Sequence, residues 1–216
     1  MKYPVSCKEG ELGRFFYNLF TFHIPLIEGE RKPKILDPTC GKKYLWVEFN
    51  KKRFGTEEKL IDDYEIVFSD LRDLGQEIVS DFRNLNFRED LDAIVFDPPY
   101  FFGIDVSDDP RAEDYGGYHQ TKQDLYKTIS EASILFPNWL KRGGKLFLKC
   151  SDQFVVSEKR FYPLHVDWIN LFSERFDLID IFIYVYRRVS PTAYQVKDRP
   201  CSICNYTYIL VFEVKK

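Results

Sequence analysis

The apolar run Ala93-Ile94-Val95-Phe96 stops at Asp97-Pro98-Pro99-Tyr100, and this junction constrains the fold more than any other stretch of the chain. A short uninterrupted apolar run reads as a strand buried on both faces, as in parallel sheets covered by helices on either side. Proline has a fixed φ and no N–H, so the pair ends the strand, keeps the turn rigid and leaves its carbonyls pointing outward. Open α/β sheets bind ligands at the carboxyl edge of their strands, where Asp97 and Tyr100 would stand. There Asp97 and the Pro98 carbonyl can accept both hydrogens of one amino group, while Tyr100 offers a face for a flat ring. A plain strand-ending turn uses the same residue types, so the tetrapeptide alone does not decide.

The strand-then-acid pattern recurs. Ile35-Leu36-Asp37-Pro38-Thr39-Cys40-Gly41 runs from a short apolar strand into a small-residue turn; Glu65–Ser69 ends in Asp70, and Glu77–Ser80 in Asp81-Phe82. Arg142-Gly143-Gly144 introduces a buried strand over Lys145–Cys150. Further strands are expected near 92–96, 178–186 and 207–214. Helical spacing of Leu12, Phe15, Phe16, Leu19 and Phe20 makes 1–32 an N-terminal helical segment. A helix near 43–53 closes on Lys51-Lys52-Arg53 and Gly55. Leu125, Ile129, Ala132 and Phe136 mark another, kinked or ended by Pro137, and Val166, Ile169, Phe172 and Phe176 a third. This alternation implies a mostly parallel sheet covered on both faces. No helix separates the last two strands, so one of them runs antiparallel. The stretches 101–120 and 187–206 read as long loops.

With 216 residues, 44% hydrophobic, and a net charge of −3, the chain is expected to form a single domain over 1–216 with a full core. No charged-then-apolar leader is present, and no apolar run approaches the ~20 residues of a membrane span, so no membrane partner is expected. Five cysteines form no disulfide framework, and an odd count fits a cytoplasmic protein. Cys201 and Cys204 supply at most half a zinc set. The other cysteines are scattered and His23, His119 and His165 are not paired with one another, so no metal is expected.

In this order the pieces resemble class I S-adenosylmethionine-dependent methyltransferases, specifically the DNA enzymes that methylate adenine N6 or cytosine N4. The resemblance runs from Pro33 to the C-terminus. Asp81–Phe87, the Pro-Pro turn and Phe147–Asp152 are similar to small stand-alone methylases of phages and other mobile elements. It implies an α/β, Rossmann-like, doubly wound fold whose mostly parallel seven-stranded sheet has its last strand antiparallel. The implied cofactor is S-adenosylmethionine. Asp37, Thr39, Cys40 and Gly41 map to its methionine part, Asp70 (with Asp73 as rival) to its ribose, and Asp81 and Phe82 to its adenine. The family usually has a second glycine where this chain has Lys43.

The implied catalytic set is Asp97, Pro98 and Tyr100. A ring-conjugated amine is a poor nucleophile, and holding both its hydrogens turns the lone pair outward. In a duplex the base must first be flipped, at a cost of a few kcal/mol. Phe101 and Phe102 widen the stacking platform. The 101–120 loop, with Tyr118 near its end, is expected to act as a lid. The 187–206 hairpin loop, with Arg187, Arg188, Tyr194, Lys197 and Arg199, suits a phosphate backbone. The expected partner is nucleic acid, DNA ahead of RNA; no room remains for a separate recognition domain, and a homodimer stays open. The rivals are an RNA amino-methyltransferase acting on guanine N2 and a non-catalytic nucleic-acid-binding remnant, favoured only by Lys43. A protein-amide methylase ranks lower because it usually has Asn in place of Asp97.

Overall fold

A computed structural model describes residues 7–9, 12–43, 45–46, 63–88, 90–102, 121–155, 157–186 and 204–215. Its strands are β1 (Cys7–Glu9), β2 (Lys34–Asp37), β3 (Glu65–Asp70), β4 (Ile78–Val79), β5 (Leu91–Phe96), β6 (Leu140–Cys150), β7 (Gln153–Val155), β8 (Arg160–Tyr162), β9 (Phe176–Val185) and β10 (Tyr206–Val214). The helices are α1 (Leu12–His23), α2 (Lys122–Trp139) and α3 (Leu164–Phe172), with a 3₁₀ turn at Phe82–Asn84.

Every residue of β5 is buried. Ile94 and Phe96 face one apolar cluster, Ala93 and Val95 the other, because successive side chains of a strand point to opposite faces. On the first face lie α2 and α3, through Leu125, Ile129, Phe136, Trp168 and Phe172. On the second, α1 presents Phe15, Phe16, Leu19 and Phe20 to Trp46, Tyr64, Phe147 and Phe182. That spacing gives the helix one apolar face.

The main sheet has the order β1-β9-β10-β6-β5-β2-β3-β4. Strands β2 to β6 pair in parallel, whereas β10 is antiparallel to both β6 and β9. The Rossmann-like, doubly wound sheet with a reversed last strand is therefore present. It carries one strand more than the seven expected, since β1 extends the edge in parallel with β9. Cys-Lys-Glu has no periodicity to announce a strand; only its pairing with β9 makes it one. The β7–β8 hairpin was equally invisible.

Three local expectations need correction. Pro137 does not itself end its helix: it lies inside α2, which runs on for two residues to Trp139 although proline has no N–H to give the carbonyl four residues back. Phe176 is not helical but opens β9, because α3 stops at Phe172. Arg142-Gly143-Gly144 is a bulge inside β6 and not a turn before it, since Leu140 pairs with Leu91 and Lys145 with Ala93. Of the helix expected at 43–53, Leu45 and Trp46 are helical; residues 47–62 lie outside the described residues. Among the described residues, no helix is long and apolar enough to cross a membrane.

Candidate active site

Strands β2, β3 and β5 are neighbours, so their carboxyl ends bring Asp37, Asp70 and Asp97 to one edge. Asp37 is 4% exposed. Its Oδ2 accepts from Trp46 Nε1 at 2.8 Å and its Oδ1 from the Thr39 amide at 3.2 Å. Burial pushes this carboxyl up to about 7 against the lowering effect of those two hydrogen bonds, and repulsion from Asp97 and Asp70 adds to the rise. Asp37 thus braces the turn through its donors.

The Gly41 amide donates to Asp70 Oδ2 at 2.9 Å, while Asp70 Oδ1 accepts from the Arg72 amide at 3.0 Å. Asp70 therefore ties the β3 end to the β2 turn. Its rival Asp73 is an exposed turn residue that accepts from the Gly75 amide. Gly41 has φ +50°, and a Cβ built there would meet nothing within 4 Å. Its backbone consequently faces open space, as close approach to a ligand requires. Cys40 is buried, and desolvation pushes its thiol up to about 12, which leaves it un-ionised and inert. Lys43 has φ +57° and so adopts the left-handed conformation that a glycine would take there; its ammonium lies 4.4 Å from the Phe68 ring centroid.

Asp97 is joined to this turn directly, since its amide donates to Thr39 Oγ1 at 3.0 Å. Lys149 Nζ donates to Asp97 Oδ2 at 2.7 Å. Among the described residues Asp97 Oδ1 meets no donor. Tyr100 and Phe101 are half-buried, with ring centroids 4.8 Å apart and planes at 48°. Phe102 is 1% exposed and belongs to the core. Gln153 clamps its backbone, accepting from the Phe102 amide at 3.2 Å and donating to its carbonyl at 2.6 Å. The segment after the two prolines is thereby fastened to the hairpin beyond β6.

Asp81 caps the 3₁₀ turn and pairs with Arg83, whose hydrogen bond draws the carboxyl below its ordinary value. Phe82 is 7% exposed and packs edge-on against Phe96 and Phe136. Tyr118, Arg187, Arg188, Tyr194, Lys197, Arg199 and Cys201 lie outside the described residues, as do almost all of both long loops. Among the described residues no group of His, Cys, Asp or Glu has metal-holding geometry.

Four residues escaped the sequence reading. Lys149 left one signal, a charge between Leu148 and Cys150 directly after the apolar run Leu146–Leu148. Trp46 and Gln153 left none. His165 pairs through Nδ1 with Asp152 Oδ1 at 2.7 Å and stacks on Tyr208 at 4.2 Å.

No protein-family model matches this sequence, and no curated protein matches it. In structure it is similar to the N-methyltransferase NodS from Bradyrhizobium japonicum, with 11% identity and a TM-score of 0.51 over 95% of this chain and 97% of that one. It is similar also to the Burkholderia thailandensis 1,6-didemethyltoxoflavin-N1-methyltransferase, solved with its substrate and S-adenosylhomocysteine (10% identity, TM-score 0.51, 95% and 79% covered). A Listeria monocytogenes protein assigned to the class I S-adenosylmethionine-dependent methyltransferases gives 15% identity and a TM-score of 0.50. This chain spans 60% of that protein's length. These likenesses show the fold, the Rossmann-like architecture of class I methyltransferases.

Proposed function

We propose that this chain uses S-adenosylmethionine to methylate an exocyclic amine of a base in nucleic acid, adenine N6 or cytosine N4 of DNA. The observation that carries the reading is the hydrogen bond from the Asp97 amide to Thr39 Oγ1. It makes the Pro-Pro turn, which would hold the amine, and the Gly41 turn, which would hold the cofactor, one rigid unit.

The residues fit the cofactor. Gly41 offers an open backbone, and the three carboxylates at one edge suit a cationic sulfonium. Two of the similar folds belong to N-methyltransferases, one with S-adenosylhomocysteine bound. When bound, S-adenosylmethionine supplies an electrophilic methyl group on positively charged sulfur. Lys43 speaks against a remnant, because the turn keeps its glycine-like backbone at that position.

Asp97 Oδ1 and the Pro98 carbonyl accept the two hydrogens of the target amine. Its lone pair is thereby turned out of conjugation, and the carboxylate stabilises the positive charge that develops on nitrogen. Asp97 or solvent then takes the proton. Tyr100 and Phe101 stack on a base extruded from the helix, returning ~1–3 kcal/mol of the flipping cost.

The test is transfer of labelled methyl to duplex DNA, single-stranded DNA and total RNA, followed by nucleoside analysis. N6-methyladenine or N4-methylcytosine in DNA is expected. The Asp97→Ala variant should lose turnover by at least 100-fold, an order of magnitude set by lost transition-state electrostatics, while S-adenosylhomocysteine affinity stays within about twofold. Label confined to N2-methylguanine in RNA would replace this reading with the RNA rival, and near-normal turnover of Asp97→Ala would refute the mechanism.

A further inference from the structure

Lys149 stands on β6 level with Asp97, because Phe96 pairs with Leu148 across the parallel strands. Its side chain is 17% exposed and that of Asp97 is 30% exposed. Burial alone would favour the neutral amine, but the Asp97 charge outweighs it, and the Lys149 ammonium is held well above its ordinary value. Lys149 is therefore a fixed cation and not a proton acceptor. An ammonium has three N–H donors. One is spent on Asp97 Oδ2, and the other two meet no acceptor among the described residues. The Nζ also lies over the Tyr100 ring, 5.9 Å from its centroid. A mostly buried cation with idle donors beside the proposed amine-holding acid calls for an acceptor from the ligand.

We infer that Lys149 reads the substrate: it donates to the ring nitrogen adjacent to the amine that Asp97 holds. This rests on the function proposed above and names the atom of the base that is read beside the amine. The hydrogen bond from Lys149 Nζ to Asp97 Oδ2 sets an N–H donor beside the carboxylate acceptor, the pattern of an edge on which an amine and a ring-nitrogen acceptor are two bonds apart. Adenine presents that edge with N6–H and N1, cytosine with N4–H and N3. Guanine N2 has the donor N1–H on its Watson–Crick side, which opposes an ammonium, and an acceptor only at N3, on the side nearer the sugar. Lys149 therefore reads the Watson–Crick edge of adenine or cytosine, and it fixes the Asp97 carboxylate at the same time.

The experiment is a two-by-two cycle on whichever oligonucleotide the wild type methylates. Lys149→Met removes the donor from the enzyme. Substituting 1-deazaadenine for adenine, or 3-deazacytosine for cytosine, removes the acceptor from the base. Each change alone should lower kcat/KM by roughly 10- to 100-fold, the range for a hydrogen bond to a charged group. Together they should cost little more than one alone, since both delete the same bond. Lys149→Gln, which keeps an N–H donor, should recover part of the loss and covers the case that Lys149→Met does not fold. Losses that multiply in full would overturn the inference and leave the proposed function standing. A tenfold weaker S-adenosylhomocysteine affinity in Lys149→Met would overturn it in favour of a cofactor contact. No label from the wild-type protein on any nucleic acid would sink the proposed function and this inference with it.

Discussion

Trp46→Phe should destabilise the protein in a way that depends on pH, and the structure gives the sign. Burial pushes the Asp37 carboxyl up to about 7 in the folded protein, from the ordinary 3.8 of an exposed aspartate. Between those values the folded state holds a proton that the unfolded state has released. Stability from this group is thus fully present below about pH 4 and is lost as pH rises through about 7, at ~1.4 kcal/mol per pH unit. Between pH 5.5 and 7 the wild type should lose ~2 kcal/mol on this account. Trp46 donates to Asp37 Oδ2 at 2.8 Å, and its indole is 2% exposed. Removing a donor from a buried carboxylate costs ~1.5–3 kcal/mol once it is charged, and less while it is neutral. In Trp46→Phe the carboxyl should stay protonated to higher pH, so its loss of stability continues past 7. Packing lost with the indole, which touches Phe16, Phe20 and Phe68, acts equally at all pH values. Urea titrations followed by far-ultraviolet circular dichroism at pH 5.5 and pH 9 would read the difference. The destabilisation should be ~1.5–3 kcal/mol larger at pH 9. Equal destabilisation at both pH values would refute the assigned hydrogen bond and the raised pKa together.

Two further outcomes follow from the same geometry. Because Asp37 becomes charged through about pH 7, calorimetric affinity for S-adenosylmethionine should rise several-fold between pH 6 and pH 8 relative to that for neutral-sulfur S-adenosylhomocysteine. A constant ratio would mean that the sulfonium does not sense this carboxylate. Gly144→Ala should destabilise by ~1–3 kcal/mol, because its Cβ would stand 2.9 Å from the Lys141 carbonyl and 3.0 Å from Leu140 Cβ. A thermal midpoint equal to wild type would show that the β6 bulge relaxes freely.

Much of the site was legible along the chain because its residues lie where a strand stops. The ends of β2, β3 and β5 were visible as apolar runs meeting Asp37, Asp70 and Asp97, and two consecutive prolines permit few turns. Lys43 was legible only as a departure from a glycine; its left-handed φ became apparent from coordinates. Phe82 illustrates the opposite limit. The family resemblance mapped it to the cofactor's adenine, and only the fold shows that its ring packs against Phe96 and Phe136.

The sequence by itself determined the doubly wound sheet, the rigid Pro-Pro turn and the shared edge of three carboxylates. These rest on periodicities and breakers that act over a few residues. Tertiary structure alone decided what each acid touches: Trp46 on Asp37, the Gly41 amide on Asp70, Lys149 on Asp97 and His165 on Asp152. It also decided that Cys7–Glu9 would be a strand. Such pairings join residues up to 52 positions apart among these acids and depend on the register between strands. Register is set by packing over the whole sheet, so no local pattern carries it.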